Sequence, residues 1–403
     1  MNFIIYLFSE GLSKIIPFIT ILVIAKFIDV KSFGELTLYF IVFELLIIII
    51  SNNIAATTRI DYFKLSSSQY IASKSTHLVV SFILFIVALL IGLFIHHISY
   101  LFFVILALSA FLRTISYYTL SNLQCKEDAK RYGISNLIYL ISMNALFVIL
   151  IVLDYGIDSW FYSILFGSFI QFLYSLKQMK TSSLFVYEKN IIFKRDNLLK
   201  EFKYGLIFIP QALGFWMKVG VDRVLLSYFT STLIVGYYMF SFQLLVPIII
   251  LSTVINLYMT PQINKLLKHN NIDAIEKYLF NFMLLLIGLA IINYFIAYSI
   301  IDIFYLDKYN KSLGILSYIV VSNLLYSISL IYMNVFYYID KKKFVSYLVF
   351  SISIAQLVTS SILGYFYTLE GILFSTIFIN FIFLIIIKYA LNTHFKRIKY
   401  ESH

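Results

Sequence analysis

The sequence predicts an all-α integral membrane protein with twelve transmembrane helices, arranged as two six-helix lobes around a central cavity. Hydrophobic residues make up 61% of the 403-residue chain, charged residues only 13%, and the mean hydropathy is +0.90. Apolar runs of about 20 residues, the length that a helix needs to cross a bilayer, recur along the whole chain. This pattern excludes a soluble enzyme that carries a single membrane anchor.

The predicted spans are bounded by clusters of charged and turn-forming residues. They cover residues 8–28, 36–57, 76–96, 100–120, 133–153, 159–176, 204–228, 233–258, 277–298, 313–335, 345–366 and 371–391. The longest polar stretch, residues 177–203, separates an N-terminal lobe (1–176) from a C-terminal lobe (204–403). This cytoplasmic linker is either an amphipathic segment on the inner leaflet or a solvated connector.

Lysine and arginine are unevenly divided between the two sets of loops. With a cytoplasmic N-terminus, 22 of them, Lys74 included, fall in cytoplasmic segments and 3 in outside loops. The positive-inside rule therefore predicts that both termini face the cytoplasm. The first residues lack a basic region and a cleavage site, so we interpret them as a retained span. The net charge of +11 requires no nucleic-acid partner, because anionic headgroups attract these residues.

Two features indicate that the halves arose by duplication. The segment FGELTLYF opens the second span and VGYYMFSF opens the eighth, which places Gly34 and Gly236 202 residues apart. Pro17 and Pro210 interrupt the first and seventh spans and predict a bend in each helix. Broken helices at corresponding positions of two halves indicate the central site of a transporter.

Basic residues within the predicted spans are candidate binding residues. An ionised side chain at the bilayer centre costs about 2.5–3.5 kcal/mol on insertion scales, so it normally faces a hydrated cavity or an opposite charge. Lys14, Arg113 and Lys218 lie deep and are predicted to line the cavity. Arg223 lies nearer a helix end, as do Lys26 and Lys388, and is expected to extend towards the headgroups. A net-positive cavity favours an anionic cargo.

The acids within the spans leave a structural alternative open. Glu10 lies four residues before Lys14, and Asp222 four residues after Lys218, so each pair is spaced for a salt bridge on one helix face. Glu44 is the third such acid. Amides in the later spans are individually better explained as contacts between helices, although together they offer hydrogen bonds to a sugar. They are Asn136, Asn144, Gln171, Gln243, Asn293, Asn323, Asn334, Gln356 and Asn380.

Several kinds of chemistry have no sequence motif here. The chain has no P-loop motif and no HExxH motif, and its single cysteine, Cys125, cannot form an internal disulfide. We therefore expect no enzymatic activity, no metal site and no cofactor.

Four segments resemble the polysaccharide flippases of the multidrug/oligosaccharidyl-lipid/polysaccharide (MOP) superfamily. The stretch GLSKIIPFITILVIAKFIDVKSFGELTLYF resembles the opening of that family, and VDRVLLSYFTSTLIVGYYMFSFQL resembles its helix 7 to helix 8 segment. MTPQINKLLK and YIDKKKFV are also similar, in the same order along the chain. The resemblance implies a Wzx-type O-antigen flippase of the bacterial inner membrane. Such a protein moves an undecaprenyl-diphosphate-linked oligosaccharide from the cytoplasmic to the periplasmic leaflet by alternating access.

The resemblance also implies roles for particular residues. Lys14, Arg113 and Lys218 would receive the diphosphate, and Asp222 and Arg223 match the Asp-Arg pair of helix 7. Glu10 and Glu44 join that pair as secondary or coupling candidates. The implied partners are the lipid-linked oligosaccharide, membrane lipid and the polysaccharide polymerase or chain-length machinery.

Two other functions compete with this interpretation. An ion-coupled multidrug antiporter of the same superfamily would depend on buried carboxylates, which Glu10, Glu44 and Asp222 supply, but the cationic excess disfavours it. A membrane polysaccharide polymerase or ligase would need a sizeable outside domain, and none is predicted.

Overall fold

The computed structural model describes residues 2–95, 98–181, 194–269, 271–339 and 341–401, apart from some side chains within its helices. These residues form fifteen α-helices and no strand, which confirms the all-α class. The helices are α1 (Asn2–Phe27), α2 (Val30–Ser51), α3 (Ile54–Lys64), α4 (Ser67–Gly92), α5 (Tyr100–Cys125), α6 (Ala129–Val152), α7 (Asp158–Thr181), α8 (Arg195–Leu206), α9 (Ile209–Phe229), α10 (Thr232–Leu244), α11 (Val246–Lys268), α12 (Ile272–Phe304), α13 (Leu306–Tyr309), α14 (Ser312–Tyr338) and α15 (Lys342–Glu401).

The apolar helices make the chain a multi-pass membrane protein. Within the described residues, seven helices are long and apolar enough to cross a membrane, or eight if the bent pair α10–α11 forms one span. The bend between these two helices is 42°, and Pro247 lies in the first turn of α11, where its missing N–H costs nothing. α15 is interrupted at Thr368, whose φ of 51° and ψ of −123° are not helical. The count of twelve spans stays a prediction.

The helices group into two compact units. The first unit contains residues 1–28 and 38–216, and the second contains residues 29–37 and 217–403. In the first unit α6 packs against α1 and α7, and α7 packs against α5. In the second unit α14 packs against α12 and α15. The predicted lobe boundaries at 176 and 204 stay a prediction.

Part of the linker is helical. α8 is amphipathic and packs against α3 and α4 within the first unit, and its Glu201 is buried there. Residues 182–193 of the linker lie outside the described residues.

The two prolines of the predicted broken helices lie in different settings. α1 continues through Pro17, and Pro210 occupies the first turn of α9, just after the break that follows α8. The bend predicted at Pro17 stays a prediction.

Gly34 and Gly236 face each other in the second unit, where the first turns of α2 and α10 cross. A Cβ atom on Gly34 would lie 2.0 Å from the carbonyl oxygen of Thr232, and one on Gly236 would lie 2.0 Å from that of Val30. Val30 and Thr232 are separated by the same 202 residues as the two glycines. The crossing is therefore symmetric, and its helix backbones approach closely because small residues lie between them.

We expect that Gly34→Ala or Gly236→Ala destabilises the protein by about 1–3 kcal/mol, because the added methyl group meets a backbone carbonyl that cannot yield easily. Thermal unfolding of the solubilised protein measures this loss. The matched control is Gly288→Ala in α12, where an added Cβ atom has no neighbour within 4 Å. Equal melting temperatures for Gly34→Ala and Gly288→Ala would show that the crossing tolerates separation.

Candidate functional site in the second unit

Lys218 lies on α9 with its ammonium group directed at neutral oxygen atoms. Its Nζ donates to Oε1 of Gln356 at 2.6 Å and to Oδ1 of Asn380 at 2.5 Å, one from each segment of α15. The ammonium also lies 5.3 Å from the ring centroid of Tyr326 on α14. Asn380 donates in turn to the hydroxyl of Ser322 at 2.8 Å, which fixes its amide orientation. These contacts hold the positive charge without neutralising it.

Asp222, one turn further along α9, is bound to the same amide. Its carboxylate accepts a hydrogen bond from Nε2 of Gln356 at 2.8 Å and another from the hydroxyl of Tyr238 at 3.2 Å. Gln356 thus bridges Lys218 and Asp222. Among the described side chains the two do not pair directly, so the salt bridge suggested by their four-residue spacing is not formed. The amide inserted between them accepts from the cation and donates to the anion.

Arg223 differs from its predicted role. The side chain is only 2% exposed, and its guanidinium carbon lies 4.8 Å from the ring centroid of Phe242 on α10. The expected extension towards the headgroups is therefore wrong. The reason is that Arg223 lies more than one turn before α9 ends at Phe229, on a side of the helix that packs against protein. Lys26 and Lys388, in contrast, are exposed.

A cavity of about 330 Å³ lies beside Lys218 and Asp222. Its lining surface is mostly apolar and includes several hydroxyl and amide groups, which matches the few polar groups in an apolar frame that ligand pockets have. The lining residues are Lys218, Asp222, Tyr238, Phe242, Ile249, Ser252, Thr253, Ile319, Ser322, Asn323, Tyr326, Ser327, Leu330, Gln356, Thr376 and Asn380. The cavity volume is at the lower end of the range of about 300–1,000 Å³ for ligand pockets.

The first unit holds a second cation in a similar way. Arg113 on α5 is 7% exposed and donates to Oε1 of Gln171 on α7 and to the hydroxyl of Tyr117 at 3.0 Å. Its guanidinium carbon lies 3.7 Å from the ring centroid of Tyr139 on α6. Glu44 on α2 is near enough for a charge interaction, but no direct ion pair joins it to Arg113 among the described side chains. Arg113 is therefore also bound mainly by neutral groups.

The remaining predicted residues are placed less completely. Lys14 lies on α1 with its side chain partly exposed, and the side chain of Glu10 is outside the described residues. Their predicted ion pair therefore stays a prediction. Lys14 and Arg113 belong to the first unit and Lys218 belongs to the second. Of the candidate residues, Lys218, Asp222 and Arg223 lie together on α9.

Several buried charged groups, Lys74 among them, were missed by the sequence interpretation. Lys74, counted there with a cytoplasmic loop, is fully buried on α4 and lies 2.7 Å from Asp61 of α3. The predicted third span began at residue 76, whereas α4 begins at Ser67. A signal was present, because Ser66 and Gln69 form a capping box, which is a recognisable sequence pattern for a helix start.

No family model matches the sequence, and no curated protein matches it. Solved structures do match. An inward-facing multidrug resistance MATE family transporter of the MOP superfamily is 14% identical, with 98% of this chain and 96% of that chain covered and a TM-score of 0.69. An outward-facing form is 14% identical, with coverage of 99% and 96% and a TM-score of 0.57. A MATE in complex with Br-NRF is 14% identical, with coverage of 98% and 95% and a TM-score of 0.55.

The amide bridge yields a prediction that does not depend on the cargo. We expect Gln356→Ala to destabilise the protein by about 1–3 kcal/mol, because Asp222 and Lys218 each lose a buried hydrogen-bond partner. Thermal unfolding of the solubilised protein measures the change. Gln243→Ala, at a partly buried amide of α10 outside the bridge, is the control and should cost less. A smaller loss for Gln356→Ala than for the control would contradict the bridge.

A likeness at 14% identity over nearly the whole of both chains is a likeness of fold. It agrees with the superfamily suggested by the sequence and leaves the flippase branch unaddressed. The chain has the fold of the MATE family transporters of the MOP superfamily.

Proposed function

We propose that this protein is a flippase that moves an undecaprenyl-diphosphate-linked oligosaccharide from the cytoplasmic to the periplasmic leaflet of the inner membrane by alternating access. The observation that carries the proposal is the position and hydrogen bonding of the ammonium group of Lys218. Its ammonium group lines a cavity and is held by two neutral amide oxygens. A phosphate oxygen can replace an amide oxygen at an ammonium group and forms a stronger, charge-assisted hydrogen bond.

The cavity lining supports a sugar-containing cargo. Hydroxyl and amide groups, which both donate and accept, surround Lys218, and Tyr238, Phe242 and Tyr326 add aromatic faces. Such groups can form hydrogen bonds with the many hydroxyls of a glycan. Arg113 adds a second buried cation with neutral partners in the first unit. Both units thus offer positive charge that no carboxylate among the described side chains contacts directly.

The proposed transport changes no covalent bond and requires no cofactor. Its proposed partners are the lipid-linked oligosaccharide, the surrounding lipid and the polysaccharide polymerase or chain-length machinery that would use the exported glycan.

An ion-coupled multidrug antiporter is the second candidate function. Two observations favour it: solved structures with this fold include multidrug resistance transporters, and the carboxylate of Asp222 lines the cavity. An organic cation would need this carboxylate as its counter-ion. Asp222 already accepts hydrogen bonds from Gln356 and Tyr238, and the ammonium of Lys218 lies just beyond the shared amide. A cationic drug would therefore approach a site that already contains a positive charge.

We expect Lys218→Gln to slow flipping at least about tenfold, because a charge-assisted hydrogen bond contributes roughly 1.5–3 kcal/mol. Purified protein in lipid vesicles with an undecaprenyl-diphosphate oligosaccharide provides the assay, with lectin accessibility of the glycan as the measurement. Lys218→Arg should keep part of the activity, since it keeps the charge. Lys388→Gln, which removes an exposed lysine from α15, is the matched control.

The same vesicles separate the two functions. If the protein is a flippase, ethidium should not be transported, and Asp222→Asn should leave glycan flipping closer to wild type than Lys218→Gln does. Ethidium export that requires Asp222, together with no glycan flipping by wild type, would support the antiporter and refute the flippase.

A further inference from the structure

A second group of buried charges lies in the first unit, away from Arg113. We call it the α8 cluster and define it as Asp61 on α3, Lys74 and His77 on α4, and Glu201 on α8. Nζ of Lys74 lies 2.7 Å from Oδ2 of Asp61, and Nδ1 of His77 lies 3.5 Å from Oε2 of Glu201. The side chains of Lys74 and His77 are completely buried. The proposed function uses none of these residues.

The two ring nitrogens of His77 have different surroundings, which determine where a proton must lie. Nε2 is 3.2 Å from the carbonyl oxygen of Ser51, and since that oxygen can only accept, Nε2 carries a hydrogen. In a neutral ring Nδ1 would then present its lone pair to the carboxylate of Glu201. Neither Nδ1 nor Oε2 has a hydrogen-bond partner among the described residues, and the two atoms lie 3.5 Å apart. A proton between these two atoms replaces that repulsion with a charge-assisted contact.

The charges of the cluster also require one proton. Asp61 and Glu201 are balanced by Lys74 alone when His77 is neutral, which leaves one buried negative charge in excess. A proton on the pair of His77 and Glu201 makes the cluster neutral, and an uncompensated charge in the protein interior is costly. Among the described residues, Tyr204 and the exposed Lys200 of α8 line the cavity beside the cluster. The hydroxyl of Tyr204 donates to Oδ1 of Asp61 at 3.1 Å.

The pKa of Glu201 agrees with this assignment. Burial opposes ionisation of its carboxyl, but hydrogen bonds from His77 and Ser73 and the nearby charge of Lys74 outweigh burial and lower the pKa. Ser73 donates to Oε1 at 2.8 Å, so Oε2 is the oxygen left for His77. Glu201 is therefore the hydrogen-bond acceptor of the pair.

The proton lies where it can control the packing of α8. Nδ2 of Asn52 donates to the carbonyl oxygen of Phe202 at 3.2 Å, and a Cβ atom on Gly205 would lie 2.3 Å from the Asn52 side chain. These contacts hold one side of α8, while the contact of Glu201 with His77 joins α8 to α4. A cavity of about 430 Å³, lined by Asp61, Glu201 and eight other residues, borders the cluster and gives protons access to it.

We infer that His77 and Glu201 form a proton-binding site, and that the bound proton holds α8 against α4. Loss of the proton at higher pH leaves a carboxylate facing a lone pair, and α8 then separates more readily from α4. This inference does not depend on which cargo the protein carries.

Hydrogen–deuterium exchange of the full-length protein in lipid nanodiscs, followed by mass spectrometry between pH 5 and pH 9, tests the inference. After correction for the intrinsic pH dependence of exchange, protection of residues 195–206 should fall about tenfold as pH rises, as expected for the loss of one charge-assisted hydrogen bond. α12 provides the reference segment and should not change. Constant protection of α8 across this range in wild type overturns the inference without any variant.

Two variants locate the proton. Glu201→Gln can donate its own amide hydrogen to Nδ1 of a neutral His77, and His77→Gln has no titrating ring, so both should abolish the pH-dependent step. Lys203→Gln is the matched control, because it removes a charge from α8 at an exposed position outside the cavity lining, and it should keep the pH-dependent fall in protection. If the pH-dependent fall in protection persists in both Glu201→Gln and His77→Gln, the proton belongs to another group and the inference is overturned.

Discussion

An ammonium group buried inside a helical bundle needs oxygen atoms as hydrogen-bond acceptors, and for Lys218 the two segments of α15 provide them. Gln356 and Asn380 approach Nζ at 2.6 and 2.5 Å, and Gln356 uses its other amide atom to hold Asp222. The positions of α9 and both segments of α15 are thereby tied to one charge. If that charge were removed, an acceptor oxygen on each segment would lose its buried partner, at a cost of about 1–3 kcal/mol each.

Arg113 meets the same physical requirement with different partners. Its planar guanidinium lies over Tyr139 and donates to Gln171 and Tyr117. A guanidinium group is less strongly hydrated than an ammonium group and stacks on aromatic rings, so it can be buried with fewer oxygen atoms. The more hydrated ammonium of Lys218, in contrast, lines a cavity. This difference is why the site is assigned to Lys218, although the sequence ranked the two residues together.

Local patterns were sufficient to predict the all-α class, but not the partners of the charges on α9. Hydropathy and the four-residue spacing of Lys218 and Asp222 are local features of the sequence. The partners of Lys218, Gln356 and Asn380, lie 138 and 162 residues further along the chain. Spacing along one helix favoured a direct salt bridge, and an amide from another helix took its place. The 202-residue repeat of Gly34 and Gly236 indicated duplication, but only the packing shows that the two glycines touch.

Lys74 shows the opposite failure, because the sequence analysis counted it with a cytoplasmic loop although its side chain is fully buried. Its burial depends on Asp61, which lies on a different helix, and on the earlier start of α4. Among the described side chains of the second unit, the carboxylate of Asp222 accepts from two donors and the ammonium of Lys218 donates to neutral oxygen atoms, which supports the proposed anionic cargo.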